Sequence, residues 1–349
     1  MNGTRFTSRH GALVAEALQS CWRENPDPCE LSDEELASVS PILLKSGAAG
    51  LVWWRLDRTG RTPPTEFLKA YKQQTLEAAV HEDNIARVFR VLEDAKLNAL
   101  VVKGWAAARL YPDPALRRYS DLDLCVAAKD FERAAALLKR ERTKDIWIDL
   151  HESSASLDYA TEEELFRRSR GVAIDGTSAR VPSPEDHLRI LCLHLLRHGG
   201  WRPLWLCDVA RVLESREANF DWKIFFGRDE IRADWLACVL GLAHKLLGAR
   251  LDDSPISQRA AQLPEWLPCA ILRRWSRWYN SDYRDEVWTS LWSHKTQPLR
   301  FLEDAYFRCD PIRATVDLEG RFDNNPRLPY QFAALARRAS KVLVRMFRS

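Results

Sequence analysis

Two acidic residues in the segment DLDL, Asp121 and Asp123, are the residues of this sequence best placed to do chemistry. The segment alternates acidic and apolar residues, and successive side chains of a β-strand point to opposite faces of the sheet. A strand over this segment therefore aims both carboxylates at one point. Because neighbouring negative charges repel each other, such a pair is favourable when a cation lies between them. Mg²⁺ or Mn²⁺, which prefer oxygen ligands, are the expected ions.

A third carboxylate follows in a second alternating segment, DIWIDLH at 145–151. Its apolar residues share one face of a predicted strand, and Asp149 shares the other face with His151. If the two strands are neighbours, Asp121, Asp123 and Asp149 form one catalytic and metal-binding group. The alternative is an ordinary edge strand whose carboxylates are solvated, and the residues before DLDL argue against this alternative.

These preceding residues predict a site for phosphates. An apolar run over 100–102 ends at Lys103 and Gly104, where a glycine lets the backbone approach a phosphate and the lysine adds a positive charge. Two arginines directly before the acidic strand can also bind phosphates, with a solvated loop as the alternative. Together with the acidic strands, these parts suit metal-assisted phosphoryl or nucleotidyl transfer. The nucleotide-binding candidates here are Lys103, Gly104, Arg117, Arg118 and Ser120.

A later helix supplies a second group of polar residues. His187, His194 and His198 are separated by steps of seven and four, which places them on one helix face. We expect His194 to contact the nucleotide or the acceptor. A zinc site at His194 and His198 is the alternative, although no HExxH motif or cysteine pair accompanies them. Asp208 lies in an apolar helix and needs a buried partner, such as Arg202 or one of the histidines.

The run LVVKGWAAARLYPDPALRRYSDLDLCV resembles a bacterial group of uncharacterised nucleotidyltransferases within the polymerase-beta-like nucleotidyltransferase fold. The IDLH segment and the segment PSPEDHLRILCLHLLRHGGWRPLWLCDVARVL at 182–213 extend the resemblance over residues 80–215. The wider superfamily has Gly-Ser where this sequence has Lys103, Gly104 and Trp105. Different atoms are therefore expected to hold the donor phosphates here.

The resemblance implies an enzyme that moves a nucleoside monophosphate from a nucleoside triphosphate, such as ATP, to a hydroxyl or phosphate of a small-molecule acceptor. Mg²⁺ or Mn²⁺ on Asp121 and Asp123 would be its cofactor, and Asp149 would complete a second metal site or accept a proton. The alternatives are a toxin-like enzyme that modifies a protein or tRNA, and a non-catalytic nucleotide-binding module. That the reaction is nucleotidyl transfer rests on the resemblance alone.

The composition is that of an ordinary globular protein. Of 349 residues, 46% are hydrophobic and 29% are charged. A net charge of +3, from 52 basic and 49 acidic residues, is too small to indicate a nucleic-acid partner. Eight cysteines without a CxxC motif predict reduced, buried thiols. The sequence shows neither a signal-peptide pattern nor an apolar run of about 18 residues, so we expect a cytoplasmic protein without a transmembrane segment.

The predicted fold class is α+β, with a small mixed sheet that carries the site and helical regions on either side. The predicted boundaries are 1–96 for the N-terminal helical region, 97–181 for the catalytic core and 182–349 for the C-terminal helical region. We expect the first region to form a helical platform against the sheet, with Ser32 and Thr65 as helix caps. Its expected inner stripe consists of Leu76, Ala79, Ile85, Val88 and Leu92.

Overall fold

One five-stranded mixed sheet organises the protein, which we describe from a computed structural model over residues 8–140, 147–152, 161–251, 254–255, 262–276 and 310–346. The strands follow the spatial order β3-β2-β1-β5-β4. They are β1 (Ala99–Val101), β2 (Asp121–Val126), β3 (Trp147–Glu152), β4 (Arg170–Ile174) and β5 (Thr177–Val181). The prediction of a small mixed sheet flanked by helices is confirmed.

The pairing of β2 with β3 decides where the acidic residues lie. These two strands run parallel, and their register sets Asp123 opposite Asp149 and Asp121 opposite Trp147. Since residues directly opposite each other in a sheet point to the same face, both aspartates of the first pair share one face. On its other side, β2 pairs antiparallel with β1. The two alternating segments of the sequence are therefore adjacent strands.

The described part of the chain contains 14 α-helices. Those before and within the sheet are α1 (Ser8–Ala17), α2 (Asp33–Ser46), α3 (Ala49–Arg58), α4 (Thr65–Asp94), α5 (Gly104–Ala108), α6 (Phe131–Arg140) and α7 (Glu162–Arg168). Those after it are α8 (Pro184–Arg197), α9 (Pro203–Glu214), α10 (Trp222–Phe226), α11 (Glu230–Leu247), α12 (Trp266–Trp275), α13 (Pro311–Asp317) and α14 (Leu328–Met346).

The two faces of the sheet are covered by different helices. Leu122 and Leu124 belong to a core that includes buried residues of α4 and α6. Leu100 and Cys125, on the opposite face, belong to a smaller core with Leu165 of α7 and Ile190 of α8. Alternation along β2 puts Asp121 and Asp123 on the same face as Cys125. The acidic site therefore lies on the face covered by α7 and α8.

The helices before the sheet differ in part from the predicted platform. Only α4 contributes to the core of the sheet, whereas α1, α2 and α3 share a larger core with α8, α9 and α11. Leu76 does not join the expected stripe because it is 71% exposed, and α4 buries against the sheet only from Ile85 onward. Ser32 caps α2 as predicted, but α4 has Pro64 at its cap position and begins at Thr65.

His187 on α8 makes the stability of the fold depend on pH. Burial, with smaller effects from Arg170 and Arg117, lowers the pKa of His187 to about 3. In the unfolded chain this histidine has a pKa near 6.5 and becomes protonated below that pH, whereas in the folded protein it stays neutral. The free energy of unfolding therefore decreases as the pH drops below about 6.5. Acidification to pH 5 is expected to cost about 2 kcal/mol through this group.

Urea denaturation of His187→Gln and wild type at pH 7 and pH 5 measures this contribution. The variant is expected to lose less of its free energy of unfolding between the two pH values than wild type does. His244→Gln, which changes a surface-exposed histidine, serves as the control and should follow wild type. An equal loss in His187→Gln and wild type would show that His187 is not responsible.

The described residues give two further findings on the chain as a whole. None of their helices combines the length and the apolar character that a membrane crossing requires. All seven of their cysteines are free thiols, of which Cys21, Cys125, Cys192, Cys207 and Cys238 are buried. Cys269, in contrast, is exposed.

Candidate active site

The turn after β1 brings a lysine to the acidic face. Lys103 follows directly after the buried strand, and the next residue, Gly104, has a φ of +27°. A Cβ atom at Gly104 would lie 3.4 Å from the Cβ atom of Tyr119 and 3.5 Å from the backbone oxygen of Asp121. Glycine therefore allows this turn to pass close to the segment that enters β2.

Asp123 is the most enclosed of the acidic residues on β2 and β3, with 6% of its surface exposed. One oxygen, Oδ1, lies 2.5 Å from Nζ of Lys103 and 3.5 Å from Nε2 of His151. Burial alone raises the pKa of Asp123, but the nearby His151 and the charge of Lys103 outweigh it, so the pKa lies below its usual range. Asp123 is thus a buried carboxylate held ionised by two basic groups.

His151 joins the two strands of the site. Its Nε2 atom lies 3.1 Å from Oδ2 of Asp149, two residues earlier on β3. The nearby Asp123 raises the pKa of His151, against the effect of burial and with the help of Asp149. Asp149 itself is about half exposed, so this side of the site is open to solvent.

Asp123, Asp149 and His151 form a group that can hold a metal ion. Each offers one ligand atom, and these atoms all lie within 4.8 Å of one another. Two ligands of one divalent ion are separated by at most about twice the metal–ligand bond of roughly 2.0 to 2.6 Å, so the spacing fits a single ion. Two carboxylates suit Mg²⁺ and Mn²⁺, and an imidazole is a ligand for transition metals. The donor set therefore fits a divalent cation.

Asp121 lies beside this group and is not one of its three members. Burial, followed by the negative charge of Asp123, raises the pKa of Asp121. The expected triad of Asp121, Asp123 and Asp149 thus differs from the group that the structure brings together, in which His151 takes the third place. The alternating strand already places His151 on the same face as Asp149, and this spacing is the sequence signal for its position in the group.

The position of Arg117 departs from the phosphate-binding prediction. Its Nε and Nη2 atoms donate to both oxygens of the fully buried Asp208, with Nη2 to Oδ2 at 2.6 Å. The Tyr111 hydroxyl donates to the same carboxylate at 2.9 Å. Arg117 and Tyr111, rather than Arg202 or a histidine, are therefore the partners of Asp208. This buried ion pair anchors the segment that leads into β2.

The other two candidates before β2 differ in availability. Nε of Arg118 donates to Oε2 of Glu77 on α4 at 2.9 Å, so its charge is already paired. Ser120 is exposed directly before Asp121. The structure therefore leaves the Ser120 hydroxyl accessible and ties the Arg118 guanidinium to a helix.

His194 lies on α8, within electrostatic range of Lys103. Burial and the nearby charge of Lys103 lower its pKa well below the usual range, with further effects from His198, Arg117 and Arg202. The ring centroid of His194 lies 4.5 Å from that of His198 and 4.6 Å from that of Trp205. The described residues place no third ligand with the two histidines, and the only ligand group of three found among them is that of Asp123. The zinc alternative gains no support.

The fold belongs to the mixed α/β class, and two adjacent parallel strands of its sheet set carboxylates next to a lysine and a glycine turn, in an arrangement that can hold a metal ion. Within that class the chain belongs to the family described as uncharacterised nucleotidyltransferase, whose model matches residues 33–248, more than half of the chain. The resemblance seen in the sequence is thereby confirmed. The comparison with curated proteins gave no match, and neither did the search of solved structures.

Proposed function

We propose that the protein transfers a nucleoside monophosphate from a nucleoside triphosphate to a hydroxyl or phosphate of a small-molecule acceptor, with Mg²⁺ or Mn²⁺ as cofactor. The observation that carries the proposal is the meeting of Asp123, Asp149 and His151 within 4.8 Å, next to Lys103, in a chain of the nucleotidyltransferase family. Asp123, Asp149 and His151 would hold the cation. When bound, the cation supplies positive charge that neutralises the donor phosphates.

Lys103 has two tasks in this proposal. In the free protein its ammonium group balances the buried Asp123 at 2.5 Å. Its flexible four-carbon stem lets the same group move to a phosphate oxygen of the donor. The exposed Ser120 would offer its hydroxyl to the donor at this side of the site, and the positive φ of Gly104 shapes the turn that carries Lys103. His194, which lies on α8 within electrostatic range of Lys103, is the proposed contact for the nucleotide or the acceptor.

Asp121 is the proposed general base. It points to the same face as Asp123 but is outside the ligand group, and its raised pKa makes it a stronger base than an ordinary aspartate. The acceptor oxygen would attack the α-phosphorus while its proton passes to Asp121. The bond between the α-phosphorus and the bridging oxygen breaks, and pyrophosphate leaves. Positioning and charge compensation supply the rate enhancement.

Transfer of label from a nucleoside triphosphate tests this function. The protein is incubated with Mg²⁺, a cell extract and each triphosphate in turn, labelled at either the α- or the γ-phosphate. Nucleotidyl transfer puts the α-label into a product and leaves the γ-label in pyrophosphate. A small labelled product supports the proposed acceptor class, whereas labelled protein or tRNA would move the acceptor to macromolecules.

Two outcomes contradict the proposal. Transfer of the γ-label to the product would show phosphoryl transfer instead. If neither label is transferred to a product with any of the triphosphates, and Mn²⁺ in place of Mg²⁺ gives the same result, a nucleotide-binding module would be the better account.

A further inference from the structure

Arg202 is a cation near the site that forms no ion pair with a carboxylate of the described residues. It occupies the position before α9, after the turn formed by Gly199 and Gly200. Its Nε atom donates to the backbone oxygen of Ser46 at 2.8 Å, and Nη2 donates to that of Arg118 at 3.5 Å. A guanidinium has five N–H donors, so three remain without an acceptor among the residues that the structure describes.

The surroundings hold this guanidinium in one place. Gly47 ends α2 with a φ of +80°, and a Cβ atom there would lie 3.0 Å from Nη2 of Arg202. The carbonyl of Ser46 is one residue earlier, so the end of α2 both accepts from Arg202 and makes room for it. The bond to Arg118 connects Arg202 to the segment that enters β2, three residues before Asp121. Arg202 is therefore fixed at the edge of the site.

The charges around Arg202 explain why it can take an anion. The other cations of the site have carboxylate partners: Lys103 has Asp123, Arg117 has Asp208 and Arg118 has Glu77. Burial and the charge of Arg117 lower the pKa of Arg202 to about 10, partly offset by Asp208 and Asp121. Arg202 thus remains charged at neutral pH and lies within electrostatic range of Asp121. A cation in this setting is stabilised by an added anion.

We propose that Arg202 binds the β- and γ-phosphates of the donor triphosphate, and hence the pyrophosphate that leaves. This inference rests on the proposed function for the identity of the donor. The planar fork of a guanidinium matches two phosphate oxygens, and hydrogen bonds between charged groups are the stronger ones. Arg202 would thus supply positive charge for the terminal phosphates, in addition to the charge of Lys103.

Binding of inorganic tripolyphosphate to the full chain, measured by calorimetry, tests the proposal without requiring turnover. Arg202→Gln is expected to bind tripolyphosphate and nucleoside triphosphates about 10- to 100-fold more weakly than wild type. Binding of a nucleoside monophosphate is expected to change less than about 2-fold, because it lacks the terminal phosphates. Arg202→Lys keeps the charge without the fork and should lose about 3- to 10-fold.

Arg211→Gln is the matched control. Arg211 lies on α9 and its Nε atom donates to a backbone oxygen, that of Leu110, as Arg202 donates to backbone oxygens. This variant is expected to bind tripolyphosphate like wild type. Thermal unfolding shows whether each variant is folded. If Arg202→Gln does not fold, the loss of tripolyphosphate affinity in Arg202→Lys tests the proposal instead.

The outcomes separate this inference from the proposed function. If wild type binds tripolyphosphate and Arg202→Gln does not, but no α-label is transferred, the phosphate site stands and nucleotidyl transfer fails. If wild type transfers the α-label and both Arg202 variants bind tripolyphosphate as tightly as wild type, the inference is overturned and the function stands. The inference would also be overturned if Arg202→Gln lost as much affinity for a nucleoside monophosphate as for tripolyphosphate. Arg202 would then not act on the terminal phosphates.

Discussion

Asp123→Asn is expected to reduce nucleotidyl transfer by roughly 10³-fold or more. The substitution removes a buried carboxylate from the proposed metal group while keeping nearly the same shape, so Asp149 and His151 lose their enclosed partner. A metal ion supplies several kcal/mol of charge stabilisation in the transition state, and each 1.4 kcal/mol corresponds to a factor of ten in rate. The initial rate of α-label transfer at saturating Mg²⁺ measures the effect.

Asp83→Asn is the control for this experiment. Asp83 is an exposed carboxylate on α4 that pairs with Arg87 at 2.9 Å, and the change there should leave the rate within about 2-fold of wild type. Circular dichroism shows whether Asp123→Asn retains the fold. A folded Asp123→Asn with more than a tenth of the wild-type rate would remove Asp123 from the catalytic account.

Asp208→Ala is expected to destabilise the fold by about 3 to 5 kcal/mol. Asp208 is fully buried and accepts three hydrogen bonds from Arg117 and one from Tyr111. Its removal leaves the buried Arg117 guanidinium without a counter-charge, which costs more than the ion pair itself contributes. Because Arg117 lies four residues before Asp121, the same change should disturb the site. The free energy of unfolding in urea measures the first effect.

Two comparisons make the second prediction specific. Asp175→Ala breaks an exposed ion pair with Arg90 and should cost less than about 1 kcal/mol. The double variant Arg117→Met with Asp208→Leu replaces both charges by apolar groups and should recover much of the lost stability. If Asp208→Ala were no less stable than Asp175→Ala, the buried pair would not be an anchor of the site.

Much of the sheet could be predicted from local patterns. Alternation in DLDL and in IWIDLH identified β2 and β3 and assigned each residue to a face, because the side-chain period of a strand is two. Asp175 and Gly176 form a dipeptide typical of tight turns, and they lie between the paired strands β4 and β5. Ser183 precedes a proline, as helix caps often do, and its side chain accepts from the backbone N–H of Asp186 at the start of α8. These features depend on neighbours in the sequence.

The partners within the site depend on distances that local patterns do not contain. Alternation put Asp121, Asp123, Asp149 and His151 on one face, but the register decided which three ligand atoms meet. A register shifted by two residues would have set Asp121 opposite Asp149. The sequence around Arg117 predicts a phosphate ligand, because its actual partner, Asp208, is 91 residues away in the sequence and no local pattern connects the two. Exposure, pairing and the unpaired charge of Arg202 follow only from the packed structure.

The central claim is that Asp123, Asp149 and His151 together bind one divalent cation. Titration of the protein with Mn²⁺, followed by the electron paramagnetic resonance signal of the free ion, tests it directly. We expect one ion per chain in wild type, binding at least about 10-fold weaker in His151→Ala, and no specific binding in Asp123→Asn, with His244→Ala behaving like wild type. Equal Mn²⁺ affinity in wild type, His151→Ala and Asp123→Asn, or no specific ion in wild type, would contradict the claim.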